Sequence, residues 1–331
     1  MERIPVIDLS GALGAGDPTP AAAAIDAACR RHGFFVITGH GLDAALFDRL
    51  DAAARAFFAR PEADKARIAM PLAGAAWRGW FPPGGELTAG RPDGKEGLYF
   101  GREDPPDHPR VRAGTPLHGA NLFPDEPAEL GPLVLEVLDR LTELGQQVLE
   151  LVALGLGLEP SWFRRHLTAD PTILFRIFRY PPADEVPEAD WGVQEHTDYG
   201  LLTLLRQDDV GGLEVRTPDG WLEAPPVPDS FVCNLGDMLE RVTGGAYRST
   251  PHRVRRPPVE RLSLPFFLDP SWDAEIVPVP GLGDTGAPAP ARWDGRSVFE
   301  FEGTYGDYLR QKVAAVFPDQ AGRSGLDGGD G

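Results

Sequence analysis

The sequence predicts a mixed α/β fold that is mainly β, a sandwich or double-sheet jelly roll with flanking helices. Two patterns predict this class. Short β-branched and aromatic runs separated by turn residues follow one another between residues 172 and 268, at a density typical of two packed sheets. Helical periodicity dominates before this region and returns once near the carboxyl end. With 331 residues, 42% of them hydrophobic, the chain can bury a large core.

The amino-terminal part alternates strands with helices. Residues 5–9 and 33–41 are rich in β-branched and aromatic residues and predict two short strands. The alanine-rich segment 20–31 predicts a helix between them. Apolar residues then recur every three or four positions from residue 42, which predicts a second helix ending before Pro61.

Residues 71–94 are crowded with Gly and Pro but also hold Trp77, Trp80 and Glu86. A loop of this length with aromatic residues is uncommon in a compact domain unless it covers a site, so we interpret it as one wall of a pocket. Residues 95–101 predict a strand, and a Pro-rich linker leads to Pro127.

The second half begins with helical periodicity and then changes to strands. Apolar spacing predicts a long amphipathic helix at 130–156 and a short helix at 161–167. The predicted strands are 172–180, 201–205, 212–215, 231–235 and 262–268, followed by a helix at 305–316.

Composition disfavours several classes of function. The chain has 32 basic and 50 acidic residues, a net charge of −18, so nucleic acid is not expected as a partner. Cys29 and Cys233 are the two cysteines and form no metal-binding pattern, which indicates reduced thiols and a cytoplasmic location. No apolar stretch is long enough to span a bilayer, and no signal peptide is evident.

A candidate metal site begins at Glu195-His196-Thr197-Asp198-Tyr199-Gly200. If His196 and Asp198 lie on one strand, their spacing of two puts both side chains on one face. His252 would add a second imidazole. Two histidines and one carboxylate form the facial triad of non-heme Fe(II) oxygenases. The triplet alone is a weak signal, because a strand histidine is more often a hydrogen-bonded core residue.

A candidate anion site follows nine residues after His252, at Arg261-Leu262-Ser263. Strand spacing puts Arg261 and Ser263 on one face, and a guanidinium beside a hydroxyl suits a carboxylate. Taken alone, the pair is more often an exposed arginine beside a solvated serine. Its distance from the metal histidine favours an anchor for a dicarboxylate.

Several motifs together resemble one known family, the isopenicillin N synthase-like family of Fe(II)/2-oxoglutarate-dependent dioxygenases. They are Ile4-Pro5-Val6-Ile7-Asp8-Leu9, Lys95-Glu96-Gly97-Leu98-Tyr99-Phe100-Gly101, His196-Thr197-Asp198-Tyr199-Gly200-Leu201-Leu202-Thr203, Asn234-Leu235-Gly236-Asp237-Met238-Leu239, Thr250-Pro251-His252-Arg253-Val254 and Arg261-Leu262-Ser263. The resemblance runs in order from residue 4 to the helix before Pro318.

The resemblance implies a double-stranded β-helix, a relative of the jelly roll. It implies one dioxygenase domain at 1–318, made of an amino-terminal region at 1–130, a jelly-roll core with the metal site at 170–270 and a helix at 304–317. Residues 319–331 are expected to form a disordered tail.

The resemblance also implies roles for individual residues. His196, Asp198 and His252 would bind Fe(II), and Arg261 with Ser263 would hold the far carboxylate of 2-oxoglutarate. Tyr180 lies where the family places a tyrosine that reaches this cosubstrate. Arg179 departs from the plant pattern at this place; it either contacts a carboxylate or points outward. Dioxygen would be the second cosubstrate, with succinate and CO2 as products.

The substrate is expected to be a small molecule, either an amino acid or a natural-product intermediate, that is hydroxylated, desaturated or cyclised. The segment around Glu86 resembles bacterial members in which a glutamate meets an arginine substrate; Glu86 either binds a cationic group or is a solvated loop residue. Tyr199 and Phe267 are further candidates for substrate contact.

Two alternatives stay open at the level of sequence. One is an oxidase of the same fold that uses Arg261 and Ser263 for its own substrate and needs no 2-oxoglutarate. The other is a metal-binding or sensing protein without turnover. The sequence does not determine the oligomeric state, and a monomer is compatible with it.

Overall fold

The computed structural model of the chain describes residues 3–88, 90–186, 189–279, 281–282, 292, 294–295 and 297–316. The tail predicted at 319–331 lies outside these residues. The helices are α1 Thr19–Arg31, α2 Ala44–Phe58, α3 Glu62–Lys65, α4 Pro109–Arg112, α5 Leu130–Gly155, α6 Trp162–His166, α7 Asp237–Val242 and α8 Tyr305–Val316. Two 3-10 helices lie at Ala66–Ile68 and Met70–Ala76.

The strands form two main sheets and one small hairpin. They are β1 Val6–Asp8, β2 Phe34–Thr38, β3 Gly79–Phe81, β4 Leu87–Thr88, β5 Arg91–Pro92, β6 Glu96–Gly101, β7 Pro171–Tyr180, β8 Val193–His196, β9 Leu202–Gln207, β10 Leu213–Thr217, β11 Gly220–Glu223, β12 Phe231–Leu235, β13 His252–Val254 and β14 Arg261–Ser271. The eight-stranded sheet has the order β1-β2-β12-β9-β14-β7-β6-β3, and the four-stranded sheet has the order β11-β10-β13-β8. These sheets with flanking helices confirm the predicted jelly-roll core.

Strands β7 and β14, the longest strands, are neighbours in the interior of the large sheet. They pair antiparallel with Arg261 opposite Tyr180 and Ser263 opposite Phe178. Because side chains alternate between faces, odd-numbered positions of β14 and even-numbered positions of β7 share one face. That face is turned towards the small sheet, and the opposite face contacts α5.

Helix α5 supports the sheet from behind. Its apolar stripe, which includes Leu133, Val137, Leu141 and Val148, is buried, as the periodicity predicts. Gly145 lets the helix approach β14 closely, since a Cβ there would lie 3.1 Å from the Leu268 side chain. Burial of one such leucine or valine contributes about 1.5–3 kcal/mol, so the stripe fixes the helix on the sheet.

The loop predicted at 71–94 is not one continuous loop. It contains a 3-10 helix and strands β3, β4 and β5. Strand β3 pairs with β6, with Gly79 opposite Tyr99, which satisfies buried backbone groups that a plain loop would leave unpaired. Strands β8, β11 and β13 were also not predicted, because they are only three or four residues long and carry polar residues.

Within the described residues, no helix is both long and apolar enough to cross a membrane.

Candidate active site

A cavity of about 600 Å³ lies between the two sheets. Its floor is made by alternate side chains of the central strands: Leu174, Arg176, Phe178 and Tyr180 from β7, and Arg261, Ser263, Pro265, Phe267 and Asp269 from β14. The alternation matches the period of two expected for strands. The candidate metal ligands and the candidate anion anchor therefore open into one cavity.

His196, Asp198 and His252 meet at this cavity. Their potential ligand atoms all lie within 4.8 Å of one another. Oδ1 of Asp198 is 3.8 Å from Nε2 of His196 and 3.7 Å from Nε2 of His252. The prediction that these three residues lie together is thus correct in outcome.

The prediction that His196 and Asp198 lie on one strand is wrong. Strand β8 ends at His196, and Asp198 lies two residues beyond it, just before a bend at Tyr199 and Gly200, so His196 and Asp198 do not share a strand. His252 begins β13 directly opposite His196. The backbone nitrogen of Asp237, at the start of α7, donates to the carbonyl of Asp198 at 2.8 Å and holds the bend.

The ring nitrogens of both histidines are oriented for metal binding. Nδ1 of His196 lies 2.8 Å from the carbonyl of Gln194, and Nδ1 of His252 lies 3.2 Å from the carbonyl of Thr250. A carbonyl accepts only from a protonated nitrogen, so these contacts assign the proton to Nδ1 and leave each Nε2 lone pair directed at the cavity.

The carboxylate of Asp198 is oriented in the same way. Its Oδ2 accepts hydrogen bonds from Thr203 Oγ1 at 2.5 Å and Asn234 Nδ2 at 2.6 Å, which leaves Oδ1 facing the histidines. Burial acts to raise the pKa of Asp198, but His252, His196 and the two hydrogen bonds outweigh burial and lower it. Burial, followed by the nearby His196, lowers the pKa of His252 to about 4, so its imidazole is neutral at physiological pH. This donor set fits Fe(II).

The anion anchor also fits its predicted ligand. The Arg261 side chain is fully buried, and its Nε and Nη1 have no hydrogen-bond partner among the described residues. Its Nη2 donates to Gln207 at 3.2 Å, and its guanidinium lies 4.7 Å from the ring centre of Tyr180. Ser263 Oγ and the Tyr180 hydroxyl are 3.5 Å apart beside it. Unpaired buried guanidinium donors beside a serine hydroxyl match a carboxylate such as that of 2-oxoglutarate.

Arg179 does not reach the cavity, which corrects the prediction that it contacts the cosubstrate. Its Nη1 donates to Glu96 at 2.9 Å and its Nε donates to Glu260 at 2.6 Å. The physical reason is strand alternation, since Arg179 lies between the cavity-facing Phe178 and Tyr180 and so points to the opposite face. The second alternative, an outward-pointing arginine, is the observed one.

Glu86 lines the cavity and is not a solvated loop residue. Its side chain is only 12% exposed, and its carboxylate lies 2.8 Å from Nζ of the buried Lys95. It also accepts a hydrogen bond from the Tyr99 hydroxyl. Although burial opposes ionisation, Lys95 and Tyr99 lower the pKa of Glu86, so the carboxylate is charged.

The remaining predicted substrate residues, Tyr199 and Phe267, also line the cavity. Sequence reasoning missed Lys95, Tyr99 and Arg176, which line it as well. The sequence held one signal for Arg176: side chains at every second position of β7 share a face, so Arg176 faces the same way as Phe178 and Tyr180.

Helix α8 contributes Leu309 and Lys312 to the cavity wall. Two buried carboxylates join it to the segment that carries Asp198. The Tyr308 hydroxyl donates to Asp237 at 2.7 Å, and the Tyr305 hydroxyl donates to Asp269, which lies against Gly200. The carboxyl-terminal helix is thus part of the site.

Comparison with known families agrees with this geometry. Residues 4–126 match the family described as non-haem dioxygenase in morphine synthesis N-terminal, and residues 171–270 match the 2OG-Fe(II) oxygenase superfamily. The second match contains all three metal-ligand candidates and both residues of the anion anchor.

Individual relatives are similar over almost the whole chain. A probable iron/ascorbate oxidoreductase of Dictyostelium discoideum is 45% identical over 320 residues, which covers 89% of this chain and 88% of the relative. A homoarginine-6-hydroxylase of Arabidopsis thaliana is 36% identical over 331 residues, with 96% and 98% covered.

Solved structures are similar as well. A Neurospora crassa protein crystallised with alpha-KG and thymine has a TM-score of 0.76 at 28% identity, with 94% of this chain and 96% of that chain covered. The chain thus shares the fold of these relatives. It belongs to the isopenicillin N synthase-like 2OG-Fe(II) oxygenases and is a non-heme Fe(II)/2-oxoglutarate-dependent dioxygenase that oxidises a small molecule.

Proposed function

We propose that the substrate carries a cationic nitrogen that binds at Glu86. The observation that carries this proposal is the buried, charged carboxylate of Glu86 on the cavity wall. A buried carboxylate with one ammonium partner retains acceptor capacity for a second cation. Thr88, two residues after Glu86, also lines the cavity, and its hydroxyl donates to Asp93 at 2.7 Å.

The proposed role of His196, Asp198 and His252 is to hold Fe(II), and that of Arg261, Ser263 and Tyr180 is to hold the far carboxylate of 2-oxoglutarate. When bound, the iron and 2-oxoglutarate supply the activation of dioxygen that oxidises a substrate C–H bond, with release of succinate and CO2. The protein orients both groups and excludes water, because Phe178, Phe267 and Tyr199 form apolar walls around them.

The relatives support a nitrogen-rich substrate. The Arabidopsis relative is named for hydroxylation of homoarginine at position 6, and homoarginine carries a guanidinium group. At 36% identity over 96% of this chain, that likeness supports the same substrate class here without identifying the compound.

The test is a screen for succinate release with Fe(II), ascorbate and 2-oxoglutarate under air. We expect compounds with an ammonium or guanidinium group to stimulate succinate release, and neutral isosteres to fail. Glu86→Gln should raise KM for such compounds at least tenfold and leave KM for 2-oxoglutarate within twofold.

Asp190→Asn is the matched control for Glu86→Gln. Asp190 is exposed and pairs at 2.9 Å with Arg91 of the β4–β5 hairpin. Asp190→Asn removes this ion pair, so it tests whether a change in the position of the hairpin is enough to raise KM. Stimulation by neutral compounds, or an unchanged KM in Glu86→Gln, would contradict the proposal. Substrate oxidation without succinate would instead favour the oxidase that needs no 2-oxoglutarate.

Three further expectations belong to the proposal. The reduced state of Cys29 and Cys233, both buried and free, supports a cytoplasmic location. The acidic net charge of −18 supports the absence of a nucleic-acid partner. A monomer is compatible with the sequence, and size-exclusion chromatography tests it.

A further inference from the structure

We infer that Arg176 forms a second anion site in the cavity, which binds the carboxylate of the substrate. The substrate is then a zwitterion of the amino-acid class, with its cationic nitrogen at Glu86 and its carboxylate at Arg176. This inference rests on the proposed function, because it names a further part of the same substrate.

Arg176 is a buried guanidinium that makes no direct ion pair, although its charge acts from a distance on the carboxylates of Glu86 and Asp269. It projects from β7 into the cavity with 8% of the residue exposed. Its Nη1 donates hydrogen bonds to the carbonyls of Phe100 and Phe175, both at 3.3 Å. No ion pair joins it to a carboxylate in the described part of the chain. A buried charge of this kind is costly unless a counter-ion arrives with a ligand.

The other cationic side chains of the cavity differ from Arg176 in their ion pairs. Lys95 is neutralised by Glu86 and Asp93, at 2.8 and 2.5 Å, and Lys312 lies 3.7 Å from Asp237. Arg261, like Arg176, has no carboxylate partner among the described residues, and it is the anchor for 2-oxoglutarate. Two buried guanidinium groups without a direct ion pair can each accept an anion, and 2-oxoglutarate accounts for one of the two.

A neighbouring arginine increases the positive charge at this end of the cavity. Arg78 is buried, its Nη2 donates to the carbonyl of Leu117 at 2.8 Å, and its Nε and Nη1 have no partner among the described residues. Burial, followed by repulsion from Arg176, lowers the pKa of Arg78 to about 9. An anion bound at Arg176 would relieve this repulsion.

Tyr99 connects the proposed anion site to the cation site. The Arg176 guanidinium lies 3.5 Å from the centre of the Tyr99 ring, and the Tyr99 hydroxyl donates to Glu86. The two sites therefore adjoin across one aromatic ring. A ligand with an ammonium group and a carboxylate on neighbouring carbons matches this arrangement, whereas an amine without a carboxylate leaves Arg176 unpaired.

The test compares acids with the amines made by removing their carboxylate. The probes are L-arginine with agmatine, L-lysine with cadaverine, and L-homoarginine with its decarboxylated amine. Each is titrated calorimetrically into the full-length protein loaded with Zn(II) and N-oxalylglycine, a non-reacting analogue of 2-oxoglutarate. In the wild type, we expect at least one acid to bind tenfold or more tightly than its amine.

Arg176→Gln should remove this preference, and Arg176→Lys should keep part of it, since lysine retains the charge but not the fork. Both variants should bind 2-oxoglutarate within twofold of the wild type. The control is Arg91→Gln, which removes an exposed arginine of the hairpin and should keep the full preference. Thermal unfolding checks that each variant is folded.

Four results would overturn the inference: amines that bind as tightly as their acids, a preference that survives in Arg176→Gln, an equal loss of 2-oxoglutarate binding, or no binding by any probe. Glu86→Gln distinguishes the proposed function from this inference. Glu86→Gln should weaken the binding of acids and amines alike, whereas Arg176→Gln should weaken the binding of acids only. If amines bind through Glu86 and acids bind no better, the inference alone falls; if neither binds, both fall.

Discussion

Asp237 accepts a hydrogen bond from the hydroxyl of Tyr308 at 2.7 Å, and this contact joins the carboxyl-terminal helix α8 to the metal site. The backbone nitrogen of the same Asp237 donates to the carbonyl of Asp198 at 2.8 Å. Asp237 is fully buried and thus contacts both α8 and the proposed metal ligand Asp198.

Replacing Tyr308 by Phe should weaken metal binding as well as the fold. The change removes one hydrogen bond to a buried carboxylate, which costs about 1–3 kcal/mol of unfolding free energy. Loss of this contact frees the segment that holds Asp198, so we expect Co(II) affinity, measured by titration of its visible absorption, to fall several-fold. Tyr247→Phe is the matched control, because its hydroxyl donates to Asp26 at 2.7 Å away from the cavity. Equal Co(II) affinity in the two variants would disprove the coupling.

Replacing Asp198 by Ala should abolish metal-dependent turnover while the protein stays folded. The substitution removes the only carboxylate among the three candidate ligands and leaves the donors of Thr203 and Asn234 unpaired, at a cost of about 1–3 kcal/mol. Co(II) titration and circular dichroism measure the two effects separately. Glu195→Ala, next to His196, serves as the control and should bind Co(II) normally. Retained turnover in Asp198→Ala would remove the metal-site assignment.

Replacing Arg261 by Lys should raise KM for 2-oxoglutarate by at least tenfold. Lysine keeps the charge but lacks the planar guanidinium and the unpaired Nε and Nη1 donors of Arg261. Steady-state succinate formation at varied 2-oxoglutarate gives the KM. Arg206→Lys, on the adjacent strand β9, is the control and should leave KM unchanged. A normal KM in Arg261→Lys would show that the cosubstrate is anchored elsewhere.

Asp269 should give the stability of the metal-free enzyme a distinct pH dependence. Burial raises its pKa from 3.8 to about 7, although the Tyr305 hydrogen bond opposes this rise. Between these pH values the folded state binds more protons than the unfolded state. The contribution of protonated Asp269 to the free energy of unfolding is therefore full below pH 3.8 and is lost as the pH rises to about 7.

The asparagine of Asp269→Asn has no titratable group, so comparison with this variant isolates the pH dependence that Asp269 causes. Relative to the variant, the wild type should lose about 2–3 kcal/mol of unfolding free energy between pH 5 and pH 7 and change little above that. Urea unfolding at a series of pH values measures the difference. A constant difference across this range would mean that Asp269 is ionised throughout.

Elements with strong periodicity were predicted well. The helix predicted at 130–156 is α5, Leu130–Gly155, and the strand predicted at 231–235 has the same bounds in the structure. The hairpin β4–β5 was missed, because two-residue strands with Gly and Pro around them have no period to detect. Its pairing depends on contacts with β8 and α8, which are distant in sequence.

The sequence by itself determined the family and indicated the candidate metal ligands and the arginine–serine pair, because these depend on residue types at fixed spacings along the chain. Tertiary structure decided which face each side chain occupies. Arg179 points towards Glu96 and Glu260, whereas Arg176 points into the cavity. Tertiary structure also placed Asp198 through α7 rather than through strand β8. The physical reason is that charge, burial and hydrogen-bond partners at a site come from strands and helices far apart in sequence, and only packing brings them together.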